Sequence, residues 1–196
     1  FTDKGKVFLS KEIGVKNSID AFFIADKGKP YLVWGSFNGI YGVELTTDGA
    51  HVKSDTFRIA GNAYEGSYIY KKGKYYYFFG STGTCCEGAK STYRVKVGRA
   101  ASLKGPYLDR EGKSLLDNGG TLLLQADDEN RFAGTGHNGD IITDKAGQTW
   151  MFYHAYRKEN DRKGRVMLLD KISWENGWPV ILHSAPGVEA QPAPVF

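Results

Sequence analysis

The chain has little that would tie it together covalently or carry it across a membrane. Its 196 residues include two cysteines, Cys85 and Cys86, and these are adjacent. Neighbouring cysteines rarely fit ordinary disulfide geometry, so they provide no disulfide framework, and two thiolates alone make a poor zinc site. Two readings of the pair stand: small loop residues, which the pattern favours, or a strained vicinal disulfide. No apolar run approaches the roughly 20 residues that a membrane helix needs. The net charge of +4 is spread along the chain, and its densest run, RKENDRKGR, mixes signs and reads as a solvated loop. No basic stripe points to nucleic acid. Helical periodicity is nearly absent, with only RAASL hinting at a helical turn. GTGHNG lacks the Lys-Ser/Thr ending of a phosphate loop and opens no helix.

Aromatic residues, chiefly Tyr and Phe, are plentiful, and the composition is not that of a disordered chain. The length suits one domain with its own core, and no linker divides it. Short apolar runs alternate with Gly, Asp and Asn turns, which predicts an all-β architecture. The strand candidates are AFFIAD, KPYLVWGS, IYGVELT, DTFRIA, GSYIYK, KYYYFFGS, TYRVKVGRA, TLLLQ, DIITD, TWMFYHAY and RVMLLDKISW. SAPGVEAQPAPVF reads as a Pro-rich tail over the surface. The opening FTDKGKVFLS carries no leader and reads as the middle of a strand, so further N-terminal sequence is expected outside this chain.

Three segments repeat: DAFFIADKGKPYLVWGS from Asp20, EGSYIYKKGKYYYFFGS from Glu65, and HNGDIITDKAGQTWMFYHA from His137. In the first two, the leading polar residue lies eight positions before a turn glycine (Gly28, Gly73) and sixteen before a serine (Ser36, Ser81). The third fits with a two-residue insertion. A polar residue, a strand, a tight turn and a more apolar strand make the opening of a β-propeller blade. The starts lie 45 and 72 residues apart, so the middle blade carries insertions, one of them STGTCCEGAKSTY. About three blades are expected, too few to close a ring. The blades needed to complete it would come from the same or another chain. Because the first strand of each blade lines the channel, Asp20, Glu65 and His137 are expected at one axial site.

Paired carboxylates at a concave site suit glycoside hydrolysis, in which one donates a proton to the leaving oxygen and the other activates water or attacks carbon. Burial or a neighbouring negative charge keeps the donor protonated. The apolar strand after Glu65 could desolvate it, and Asp20 could supply the charge. Trp34, Phe37, Tyr64, Tyr93 and Trp150 are candidates for sugar faces, whereas Tyr75, Tyr77 and Phe79 read as core. His137 is a candidate metal ligand or sugar contact; a single protein ligand makes a weak metal site unless water completes it.

The stretches NSIDAFFIADKGKPYLVWGSFNGIYGVEL, YEGSYIYKKGKYYYFFGSTGTCCEGAKSTYRVKVGRAASLKGPY, GTGHNGDIITDKAGQTWMFYHAY and ENGWPVIL resemble glycoside hydrolase family 43, and most closely its arabinanase-like members. The resemblance runs from Asn17 to Leu182 and implies a five-bladed β-propeller, of which residues 1–196 would supply about the last three blades. It implies cleavage of arabinose- or xylose-containing plant polysaccharide with inversion. Glu65 matches the family's general acid, and Asp20 the Asp that tunes and orients it. His137 matches the axial residue near calcium or another cation. Asn17, Ser36, Phe37, Tyr64, Ser91 and Tyr93 are implied substrate-binding residues. The family's base Asp has no counterpart here: Asp3 lies in a segment that matches the end of a preceding blade. Ala21 stands where the family usually has Pro. The implied enzyme would work on polymers outside the cytoplasm, whether secreted, periplasmic or at the cell surface. The rival expectation is a non-catalytic glycan-binding or inactive part-propeller.

Overall fold

The computed structural model describes residues 2–126, 129 and 131–195. Among them are thirteen strands: β1 Phe22–Asp26, β2 Lys29–Trp34, β3 Ile40–Glu44, β4 Phe57–Ala60, β5 Glu65–Lys72, β6 Tyr75–Thr82, β7 Arg94–Ala100, β8 Thr121–Gln125, β9 Phe132–Gly136, β10 Ile141–Thr143, β11 Thr149–Arg157, β12 Arg165–Glu175 and β13 Trp178–Val180. They form three sheets in chain order: β1-β2-β3-β4, β5-β6-β7-β8, and β10-β11-β12-β13 with β9 also on β11. This is the all-β, blade-like arrangement that the repeat predicts.

The turns follow from local chemistry. Asp26 pairs with Lys29 across Lys27 and Gly28, both at positive φ (49° and 76°). That is the backbone a two-residue hairpin needs to match strand twist. Asn176 and Gly177 do the same between β12 and β13 (50° and 74°), where Glu175 pairs with Trp178. The sequence pattern missed β13 although its Asn-Gly turn is a strong hairpin signal. It also missed β9, whose glycines weaken the strand pattern. β9 pairs with His154–Arg157 and β10 with Thr149–Met151, so they lie end to end along one edge of β11. His137 therefore sits at the break between them and not ahead of a continuous inner strand, as the repeat had suggested.

Two other expectations are corrected. The opening residues 2–9 carry no strand; they lead into a four-residue helix, Ser10–Ile13, ended by Gly14 at φ 75°. Residues 101–104 form bends and turns without a helix, because the chain turns there towards Gly105.

The chain divides into two compact units, residues 1–79 with 98–120, and residues 80–97 with 121–196; two of the three boundaries fall inside β6 and β7 and the third directly before β8. In the first unit a core of Val33, Ile40, Ile59, Tyr64, Phe78, Tyr107 and Leu115 excludes solvent. A second cluster of Val15, Trp34, Val43 and Leu45 lies on the other face of the first sheet. In the second unit β11 is buried along most of its length, through Trp150, Met151, Tyr153 and Ala155. Trp34 and Trp150 are only 1% and 2% exposed, so both are core residues and not sugar platforms. Their indole nitrogens donate to Ser18 Oγ (3.1 Å) and Asp144 Oδ2 (2.9 Å), as buried donors must. The tail crosses the second unit and is pinned there, with Gly187 N on Asp170 Oδ1 (3.1 Å), Gln191 Nε2 on Leu169 O (3.1 Å) and Val195 N on Asp144 Oδ2 (3.2 Å).

At the end of β1, Asp26 receives Tyr76 Oη (2.6 Å) and Lys71 Nζ (2.8 Å), joining the first two sheets within the first unit. Burial pushes its carboxyl up, but Lys71 and Tyr76 outweigh burial and hold it below the usual carboxylate range. A depressed carboxylate stabilises the fold above its unfolded value near pH 4, and that contribution is lost as pH falls through the folded value. Asp26→Asn should therefore lower stability by about 1–2 kcal/mol at pH 7. The gap to the parent should narrow at pH 3, as read by urea denaturation at both pH values.

Candidate active site

The first unit gathers Asn17, Asp20, Ser36, Phe37, Tyr64 and Glu65. Glu65 opens β5 and is 7% exposed. Its Oε2 accepts a hydrogen bond from Ser36 Oγ at 2.8 Å. Gly66 follows at φ 58°, and its N–H donates to Asp20 Oδ2 at 3.2 Å. Asp20 thus binds the backbone immediately after Glu65, which brings the two sequence-predicted carboxylates into one constellation.

The segment WGSFNG makes this possible by folding back on itself. A side chain at Gly35 (φ 130°) would run into Gly39 O at 2.2 Å, so only glycine fits. Gly35 N donates to Ile19 O (3.0 Å) and Phe37 N to Tyr64 O (2.8 Å). Ser36 O accepts from both Asn17 Nδ2 and Asn38 Nδ2, each at 3.1 Å. Asn17, Asp20 and Phe37 all have positive φ (52°, 58° and 51°), and these hydrogen bonds hold them there. Non-glycine residues in that region mark strain and often a functional site.

Of the residues expected to bind substrate, Asn17 and Phe37 are exposed, and Phe37 presents 40% of its surface. Tyr64 is wholly buried: its ring packs edge-on against Phe78 at 5.6 Å and its hydroxyl donates to Gly119 O. Burial and Asp109 push that phenol well above its ordinary range. Tyr64 is a packing residue. Ser36 is 2% exposed and directs its hydroxyl to Glu65.

The second unit gathers Ser91, Tyr93 and His137. Ser81, at the end of β6, accepts His137 N–H through Oγ at 2.7 Å. His137 has φ 47° and its ring stacks with that of His154 at 6.1 Å; the Tyr93 ring also stacks with His154, at 5.8 Å. Tyr93 Oη approaches His137 Nδ1 at 3.5 Å, a weak contact. Burial, then Arg165 and His137, push the His154 imidazole down to about 4. Arg165 Nη1 lies 3.3 Å from His154 Nε2, and since Arg has no acceptor the proton must sit on Nδ1.

Ser91 and Tyr93 lie over glycines of β9. A side chain at Gly134 would meet Ser91 Cβ at 2.6 Å, and one at Gly136 would meet Tyr93 Cδ1 at 2.3 Å. The loop before them contains the Cys85–Cys86 disulfide, the reading that the sequence pattern favoured less. Ser91 Oγ accepts Glu87 N (2.9 Å), and Asp161 Oδ2, on the β11–β12 connection, accepts Ala89 N (2.8 Å). Ser81, His154, Asp161 and the β9 glycines were not singled out from sequence. Ser81 was the legible one, because it repeats the position of Ser36.

Among the described residues no three His, Cys, Asp or Glu side chains come together to hold a metal. His137 is flanked by Thr135 and Asn138, whose buried Thr135 Oγ1 and Asn138 Oδ1 have no hydrogen-bond partner among the described residues. Hydroxyl and amide oxygens are the donor types a hard cation takes, with water completing its shell.

Residues 1–179 match the family model "Glycosyl hydrolases family 43". The chain belongs to glycosyl hydrolase family 43. It is 35% identical over 184 residues to the extracellular endo-α-(1→5)-L-arabinanase 1 of Bacillus subtilis (strain 168), covering 90% of this chain and 54% of that protein. Among solved structures it resembles an exo-1,5-α-L-arabinanase from a bovine ruminal metagenomic library (TM-score 0.76, 37% identity, 83% of this chain and 56% of that one). It also resembles the Cellvibrio cellulosa α-L-arabinanase complexed with arabinohexaose (TM-score 0.75, 30% identity, 82% of this chain and 56% of that one). The chain thus spans about half the length of the relatives it matches. These family 43 arabinanases are five-bladed propellers, and the sheets here correspond to part of that fold.

The Tyr93–Gly136 contact yields a test. Gly136→Ala should cost about 1–3 kcal/mol through overpacking. Gly136→Ala/Tyr93→Ala should regain part of that loss in a thermal-denaturation cycle, because the added methyl then has room.

Proposed function

We propose that this chain carries the acid side of the active site of an inverting glycoside hydrolase acting on α-1,5-linked arabinan or a related pentose glycan. The observation that carries the reading is Glu65: a carboxyl at 7% exposure, held by Ser36 Oγ, with Asp20 bonded to the adjacent Gly66 amide. The activities of family relatives on α-1,5-arabinan support the substrate class.

In this mechanism Glu65 donates its proton to the glycosidic oxygen as the bond to the anomeric carbon breaks. Asp20 fixes the backbone at Gly66 and thereby the angle from which Glu65 approaches. A carboxylate opposite takes a proton from the attacking water; inverting enzymes keep the two about 6.5–9.5 Å apart to admit that water. We assign no residue of this chain to the base. Phe37 and Asn17, the exposed members of the first cluster, would meet the sugar; Ser91 and Tyr93, 6% and 1% exposed, would instead pack behind the surface of the second unit. His137 and Asn138 would hold a calcium or similar ion, which supplies a fixed positive charge when bound. The Bacillus relative is an extracellular enzyme, which supports secretion here too.

Glu65→Gln in the intact polypeptide should lower reducing-sugar release from linear arabinan by about 10²–10⁴-fold. The loss should be much smaller on an aryl arabinofuranoside whose leaving group needs no proton. Full activity of Glu65→Gln on arabinan would overturn the assignment. Binding of arabino-oligosaccharide by the parent without any sugar release would favour the glycan-binding alternative.

For the cation, chelation by EDTA should lower the melting temperature of the parent and added calcium should restore it. His137→Ala should show neither response. A parent indifferent to both treatments would remove His137 from a metal role.

A further inference from the structure

A carboxylic acid that donates a proton has two oxygens and one proton, so a hydrogen bond to one oxygen decides which of them delivers it. Ser36 Oγ makes such a bond to Glu65 Oε2 at 2.8 Å, from a position that is 2% exposed. Its backbone is clamped on every side. Ser36 O accepts two amide groups, Asn17 Nδ2 and Asn38 Nδ2, each at 3.1 Å. The preceding Gly35 is anchored on Ile19 O at 3.0 Å and the following Phe37 on Tyr64 O at 2.8 Å, the latter belonging to the residue before Glu65. Both partners of the hydroxyl bond are therefore fixed to the same short stretch of backbone. A side chain serving substrate alone would not need its hydroxyl buried against the acid.

We propose that Ser36 is a positioning residue for the general acid: its hydroxyl fixes the carboxyl plane of Glu65 and directs the transferable proton to the other oxygen, Oε1. This rests on Glu65 being the acid. It replaces the expectation that Ser36 binds substrate. A hydroxyl donor holds a carboxylate more strongly than the neutral acid, so the bond tightens as the proton leaves and stabilises the product of that step.

The experiment is a pH–rate series on linear arabinan with Ser36→Ala, Ser36→Thr and Ser36→Cys in the intact polypeptide, with Glu65→Gln beside them. The expected result for Ser36→Ala is a roughly tenfold loss in kcat with KM little changed. Its alkaline limb, where activity fails as the acid loses its proton, should move up by about one pH unit. Ser36→Thr keeps the hydroxyl and should restore most of the rate and the limb. Ser36→Cys keeps the volume with a weaker donor and should fall between the two, which provides a reading if the alanine variant does not fold. A higher KM with an unmoved limb would make Ser36 a substrate contact and overturn the proposal, as would wild-type behaviour of Ser36→Ala and Ser36→Cys. The two readings fail separately. Full activity of Glu65→Gln would overturn the acid assignment, whereas a disabled Glu65→Gln beside an unaffected Ser36→Ala would overturn only the role of the serine.

Discussion

A buried serine hydroxyl at the end of one sheet's second strand holds a residue of the sheet that follows, at the start of β5 in one case and at the break between β9 and β10 in the other. It occurs twice: Ser36 donates to Glu65, and Ser81 accepts from the amide of His137. A hydroxyl is both donor and acceptor, so one residue type can serve a carboxylate in one place and a backbone N–H in another. Both serines are almost fully buried, where an unpaired hydroxyl would be costly. The bond therefore fixes the local geometry in addition to satisfying the polar atom. In the first cluster the turn at Gly35 delivers the serine, and the residue it binds is the carboxyl for which the acid role is proposed.

Around these bonds the backbone is bent into conformations that side chains avoid. Asp20, Phe37 and His137 all lie at positive φ, between 47° and 58°. Each is held by backbone hydrogen bonds of itself or its neighbours: Gly35 N to Ile19 O, Phe37 N to Tyr64 O, His137 N to Ser81 Oγ. Strain gathered at the functional positions and opposed by surrounding bonds is what a preorganised site requires. The cores beneath supply the rigidity. Tyr64, one residue before Glu65, has its aromatic ring locked against Phe78 and its hydroxyl on Gly119.

Much of the fold could be read from the order of residues because its determinants are local. Alternation, Lys-Gly turns and the repeated polar–strand–turn–strand pattern located eleven strands and placed Asp20 and Glu65 at equivalent starts. The determinants that escaped are those set by distant packing. β9 looks too glycine-rich for a strand until Ser91 and Tyr93 are seen to occupy the space where its side chains would be. The short helix Ser10–Ile13 follows an apolar run, Val7–Leu9, that imitates a strand. Tyr64 and the two tryptophans have the chemistry of sugar platforms, but burial, a property of the whole fold, removes them from contact. Ser36 shows the limit most clearly: its repeat position was legible, but the atom it touches was not.

The carboxylate of Asp161 reaches from the connection between β11 and β12 to the Ala89 amide, beside the paired cysteines and two residues before Ser91. One blade's outer corner thereby acts as a buttress for a loop belonging to the blade before it. An insertion or deletion in that corner would re-aim the loop without altering any residue that lines it. Lineages of this fold thus have a route to reshaping that loop which leaves Glu65 and Ser36 untouched.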